Sequence, residues 1–232
     1  MQQALAPIVL VHGAYQGGWI WQRVAARLRA VGHTVFAPSL DGCAERRGAL
    51  RPGITTETHA AEIADLMFFE DLHDVVLAGT SSGGMVVCKA AELARDRIAR
   101  LVFVDALMLF DGECIPDIVQ RRNAETTELA TGPSRADAEG RMFASLNAAD
   151  KALALERYTP HPVAAMQDRV KLPQFWQPKW QATVVWCKQA ANPGRPHQQR
   201  GAEKLGAEWH ELDTGHYPML TEPDALAKLI AS

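Results

Sequence analysis

Short β-branched apolar runs alternate with helical apolar patterns along most of this 232-residue chain, and that alternation limits its fold more than any other feature. Ile8-Val9-Leu10-Val11 predicts a buried strand ending at His12-Gly13. Trp21, Val24, Ala25 and Leu28 follow at i, i+3, i+4 and i+7, one face of a helix that Gly32 terminates. Residues 33–37 read as a second strand and 38–52 as a loop rich in Gly and Pro. Ala60, Ile63, Ala64 and Met67 restore the helical spacing. A strand at 74–78, a helix at 85–93 and a strand containing Leu101-Val102-Phe103-Val104 come next. Strands separated by helices predict a mostly parallel central sheet with helices on both faces.

The rhythm stops between residues 107 and 180. That stretch patterns as mostly helical, with breaks at Gly132-Pro133, Pro160 and Pro162 and no strand. It predicts a helical cap inserted over the sheet, so that 1–106 and 181–232 form the core and 107–180 the cap. Thr183-Val184-Val185-Trp186-Cys187 resumes the alternation, followed by a helix near 198–205 and a last strand near 208–212. Thr221 is placed as the N-cap of a closing helix with Pro223 in its first turn. The length suits one domain with an insertion.

Composition narrows the partners. Lys and Arg number 24 against 27 Asp and Glu, a net charge of −3, so neither nucleic acid nor an anionic membrane is expected as a partner. No apolar run reaches the roughly 18 residues of a membrane span. Residues 1–7 lack the basic start and apolar stretch of a secretion signal. Cys43, Cys88, Cys114 and Cys187 are widely spread, which reads as free thiols in a reducing cytoplasm.

The chemistry lies in Gly79-Thr80-Ser81-Ser82-Gly83, a G-x-S-x-G match set directly after a strand and before a helix. A nucleophile on such a tight turn needs glycine at the flanking positions, where a side chain would meet neighbouring backbone. The helix start turns backbone N–H groups toward developing negative charge. Ser82 is the weaker nucleophile, because Thr80 stands where its frame needs Gly. A serine needs a base, and His216 follows the last strand in Gly215-His216. The order Ser then His separates this pattern from the chymotrypsin and subtilisin orders. His12-Gly13-Ala14 closes the first strand, where the N–H of Ala14 can face that of Ser82 as an oxyanion hole. The remaining histidines, His33, His59, His73, His161, His197 and His210, read as structural; the six-residue gap from His210 to His216 fits no metal spacing.

These segments, together with Ala37-Pro-Ser-Leu-Asp-Gly42, Ile54-Thr-Thr-Glu-Thr-His59 and Thr214-Gly-His-Tyr-Pro-Met219, resemble the α/β-hydrolase superfamily. More narrowly they are similar to its small-esterase and hydroxynitrile-lyase branch, which includes plant methyl-ester esterases. The resemblance implies an α/β-hydrolase fold and a Ser81–His216 hydrolase acting through an acyl-enzyme. It implies a small-molecule ester as substrate and no metal or organic cofactor, and it leaves a homodimer open. Asp at the nucleophile position marks the dehalogenase and epoxide-hydrolase branches, so Ser81 argues against both.

Two departures qualify it. Lyase members carry Thr after the first-strand His and Lys after the catalytic His, whereas this chain has Gly13 and Tyr217, so ester hydrolysis outranks cyanohydrin cleavage. The family places its acid in the loop after the strand that here ends near Cys187, yet residues 188–196 hold no carboxylate. Asp105, 24 residues after Ser81 at the end of the next strand, is taken as the third member. Asn192 and Asp213 are the alternatives. An apolar pocket built from Met108, Leu109, Phe110, Met142, Phe143, Phe175, Trp176 and Trp19 would favour small hydrophobic or aromatic esters. A lyase or C–C hydrolase with the same Ser/His pair, or a non-catalytic binding protein on this scaffold, are the competing functions.

Overall fold

A computed structural model describes residues 5–119 and 124–232; the reading of the first seven residues rests in part on 1–4, outside that range. The chain runs β1 (Ile8–Val11), α1 (Gln22–Ala30), β2 (Val35–Phe36), α2 (Thr56–Phe69), β3 (Val75–Ser81), α3 (Gly83–Leu93) and β4 (Ile98–Ala106). Next come α4 (Ile115–Ile118), β5 (Ala124–Thr126), β6 (Ala130–Pro133), α5 (Arg135–Asp137), α6 (Ala148–Arg157), β7 (His161–Pro162) and α7 (Val163–Gln167). It closes with β8 (Ala182–Cys187), α8 (Arg195–Leu205), β9 (Glu208–Leu212), α9 (Pro218–Thr221) and α10 (Pro223–Ala231). No helix among the described residues is long and apolar enough to cross a membrane.

Six strands form one parallel sheet in the order β2-β1-β3-β4-β8-β9. The unbroken apolar runs follow from burial on both faces. Val9, Val11, Leu77, Leu101, Phe103 and Val184 pack on one side with residues of α2 and α3. Ile8, Leu10, Val76, Ala78, Val102 and Val104 pack on the other with α1 and α10. β1 has β2 on one side and β3 on the other, so the strand order reverses there. Such a reversal opens a crevice beyond the carboxyl ends of the strands. Residues 12–16 and 81–82 meet in it.

The stretch between β4 and β8 corrects one expectation. It holds short helices, but also a three-stranded antiparallel sheet, β5-β6-β7, where no strand was expected. Its strands have three, four and two residues, too short for any alternation to register. β5 and β6 pair as a hairpin across residues 127–129, and only β7 is brought in from a distance. Thr221 is also corrected: it ends α9, and Glu222 precedes α10 without a side-chain cap. Pro218 starts a helical turn first, and the Thr221 hydroxyl meets that of Thr214 at 2.7 Å.

Side chains clamp this stretch to the core. The Glu92 carboxylate on α3 accepts the N–H groups of Gln174 and Phe175 at 2.9 Å each, and the Lys89 ammonium at 2.7 Å. Arg200 on α8 donates to both oxygens of Glu113, at 2.7 and 2.6 Å. Two buried imidazoles tie loops together: His12 Nδ1 donates to Gly13 O and its Nε2 accepts from Leu40 N, while His197 Nε2 accepts from Met108 N at 3.0 Å. Burial depresses both, to about 4.

Two outcomes follow. Glu92→Ala strips two backbone donors of a charged partner, worth about 1.5–3 kcal/mol per bond. Limited proteolysis with peptide mapping is expected to show faster cleavage in 171–177; an unaltered pattern refutes the clamp. For the imidazoles, the folded pKa lies below the ordinary 6.5. As pH falls from 6.5 toward 4, the unfolded chain therefore takes up protons that the folded chain refuses, and stability falls. Urea midpoints measured across that window are expected to decline with acidification and to flatten above it.

Candidate active site

Ser81 is the last residue of β3, and its backbone sits at φ +53°. That left-handed conformation is strained for a side-chain-bearing residue, and the surroundings enforce it. A Cβ on Gly83 would lie 2.6 Å from the carbonyl oxygen of His12, and one on Gly13 would lie 2.6 Å from Cβ of Ser81. The two turns thus interlock at distances that only glycine allows. Ser82 stands at the N-terminal end of α3, an 11-residue helix, directly after Ser81.

Ser81, Ala14 and His216 line one cavity of about 500 Å³. His216 lies in the loop after β9 and is partly buried. Its Nδ1 stands 2.5 Å from Oδ2 of Asp105. The carboxylate accepts, so Nδ1 carries the proton and Nε2 is left as the basic nitrogen. Asp105 is fully buried near the end of β4, with φ at +43°. Strands β3 and β4 pair through their ends, with Ser81 opposite Ala106 and Leu107 N donating to Ser81 O at 2.8 Å. Serine and carboxylate are therefore carried on adjacent strand ends.

The two alternatives to Asp105 lie elsewhere. Asn192 lines the cavity as part of its wall. Asp213 is exposed and faces Lys188 and Gln189. The charge of Asp105 is felt by its neighbours. Burial, and after it the carboxylate, pushes the Cys187 thiol well up, so it stays protonated. Burial, with Tyr15 and Asp105 adding to it, does the same to the Tyr217 phenol. All four cysteines are buried thiols and form no disulfide.

Two side chains at the site, Gln198 and Gln16, escaped the sequence reading, and a third, Tyr217, was read only for the lysine it replaces. Gln198 on α8 is fully buried and donates its amide to Oδ1 of Asp105 at 2.6 Å and to Pro193 O at 2.9 Å. Gln16 lines the cavity and accepts the Gly13 N–H at 3.3 Å. The Tyr217 ring packs edge-on against His216 at 5.1 Å between centroids. A glutamine in a helix carries no mark of its direction, and only the HG turn, four residues upstream, hinted at Gln16. The expected apolar lining is corrected as well. Of the named set only Met142 lines the cavity; Trp19, Met108, Leu109 and Phe143 are core, and Phe175, Trp176 and Phe110 pack on one another. Apolar residues that wall a cavity and those that fill a core look alike in sequence. Leu107, Val119, Pro133 and Pro193 supply apolar wall instead, beside the polar Gln16, Ser145, Gln189 and Asn192.

The model of the alpha/beta hydrolase family matches residues 8–229. The chain is 38% identical over 111 residues to a carbendazim hydrolyzing esterase of Nocardioides sp. (strain SG-4G), a match covering 48% of this chain and 46% of that protein. It is 35% identical over 103 residues to methylesterase 3 of Arabidopsis thaliana, covering 44% of this chain and 39% of that one. In both, the matched stretch is less than half of the relative's own length. The expected likeness to small esterases is borne out. An extracellular alpha/beta-hydrolase from a Paenibacillus species superposes with a TM-score of 0.82 over 97% of each chain, at 23% identity. The interlocked serine turn, the parallel six-stranded sheet and a family match over nearly the whole length agree: this chain belongs to the alpha/beta hydrolase family.

Proposed function

We propose that the chain hydrolyses small carboxylic esters through an acyl-enzyme, with Ser81 as nucleophile, His216 as base and Asp105 as its carboxylate partner. The observation that carries this reading is the Asp105–His216 contact of 2.5 Å, opening on the cavity that Ser81 also lines. His216 Nε2 takes the hydroxyl proton as Ser81 Oγ attacks the ester carbonyl carbon. The tetrahedral oxyanion faces the N–H groups of Ala14 and Ser82, each worth about a hundredfold or more in rate. The C–O bond to the leaving alkoxide breaks as His216 returns the proton, releasing the alcohol. Water then repeats the sequence on the acyl group and regenerates Ser81. Asp105 holds the imidazole by its Nδ1–H and stabilises the imidazolium.

The similarity to esterases, and Tyr217 in place of a lyase lysine, support hydrolysis over cyanohydrin cleavage. The stretch 107–180 acts as the cap, lending Met142 and Val119 to a wall that receives hydrophobic or aromatic groups. No cofactor takes part. Four thiols without a disulfide support a reducing, cytoplasmic setting.

An organophosphate is expected to label Ser81, and p-nitrophenyl acetate turnover is expected to vanish in Ser81→Ala. A folded wild type that neither labels nor turns over would make this a binding protein and sink the proposal. Asp105→Asn is expected to cost roughly 10³–10⁴ in kcat by upsetting the tautomer. Asn192→Ala is expected to move KM and leave kcat within about threefold. The reverse ranking makes Asn192, not Asp105, the residue that orients the imidazole. Gly13→Ala drives a methyl into Ser81 and is expected to abolish labelling while far-ultraviolet circular dichroism stays native.

A further inference from the structure

Resting on that reading, we infer that Gln198 is a positioning residue: its amide holds the Asp105 carboxylate so that Oδ2 stays on His216, and joins that carboxylate to the cavity wall at Pro193. Gln198 is fully buried, and its Nε2 donates to both Asp105 Oδ1 and Pro193 O. Its Oε1 is buried with no partner among the described residues. A buried amide with an orphaned oxygen is poor packing material, so what it supplies is its two donors. The other donor to Oδ1 among the described residues, Cys187 N, stands at a long 3.4 Å. An aspartate carboxylate turns easily about its last torsion, and without Gln198 little else fixes its plane.

The choice of donor has a chemical logic. Among the described residues Asp105 has no Lys or Arg partner, and its ion-pair partner is His216 alone. The titratable groups packed beside this pair, Cys187 and Tyr217, are both held protonated by burial. A neutral amide steadies the carboxylate without a cation that would compete with the imidazolium for its charge. The second bond, to Pro193, sets the loop that carries Asn192 in register with the triad.

The test is Gln198→Met, which keeps length and bulk and removes the donors. Its kcat on p-nitrophenyl acetate is expected to fall roughly tenfold, with KM within about threefold. The far-downfield proton signal of the His216 Nδ1–H to Asp105 bond is expected to broaden or move upfield. Unchanged kcat with an unchanged signal overturns the inference, and so does a rise in KM alone, which would mark a wall residue. If the variant does not fold, the wild type decides. Its Gln198 side-chain amide signals should move with the His216 titration at the same midpoint; signals that stay still overturn the inference. Both resonance measurements work without turnover, so a wild type that hydrolyses no ester would overturn the esterase reading and leave Gln198 still on trial.

Discussion

Everything at this site depends on two turns pressed together more closely than side chains allow. Gly83 abuts the His12 carbonyl and Gly13 abuts Ser81. That contact is possible because β1 and β3 are hydrogen-bonded neighbours in the sheet, pairing Val11 with Gly79. The sheet register sets the separation of the turns, and the turns set the backbone of Ser81 at φ +53°. Burial of the strands on both faces supplies the rigidity that keeps a strained residue in place. His12, held neutral by burial, bonds Leu40 N and fixes the first turn from behind.

The core was legible because its signal is redundant. The inner strands of the central sheet are buried on both faces, so Ile8–Val11 and Leu101–Val104 announce themselves as apolar runs, and the helices between them repeat at helical spacing. The stretch 107–180 was not legible in the same way. Its β5 and β6 form a hairpin across residues 127–129 with strands too short to register as a pattern, and β7 joins them from far along the chain, at His161–Pro162, which no local pattern records. The Thr221 misplacement has a similar root: Pro218 starts a turn of its own and consumes the residue that a local rule would assign as a cap.

Of the site, the parts legible in sequence were those whose chemistry leaves a spacing: the serine turn, the HG turn and the histidine after the last strand. The carboxylate could be narrowed only by exclusion, since the loop 188–196 lacks one. Asp105, Asn192 and Asp213 were separable only by knowing where β4 and the loops end. Geometry brings Asp105 to the imidazole and leaves Asp213 facing solvent. Gln198 left no trace, because a buried glutamine and a solvated one are the same letter. The cavity wall was misread for the same reason: burial in a core and exposure to a pocket demand the same apolar residues.

The proposed placing of the triad carboxylate on β4 rather than in the loop after β8 has a consequence for heat. Ser81 and the backbone beside Asp105 are coupled through ladder hydrogen bonds between central strands, whereas His216 sits in a loop. Loops open at lower free energies than central strands. On warming, the serine and the carboxylate hold their mutual positions after the imidazole has begun to wander. For the proposed triad, thermal inactivation is then expected to start as a local and reversible loss of the histidine, at temperatures where the sheet is still intact.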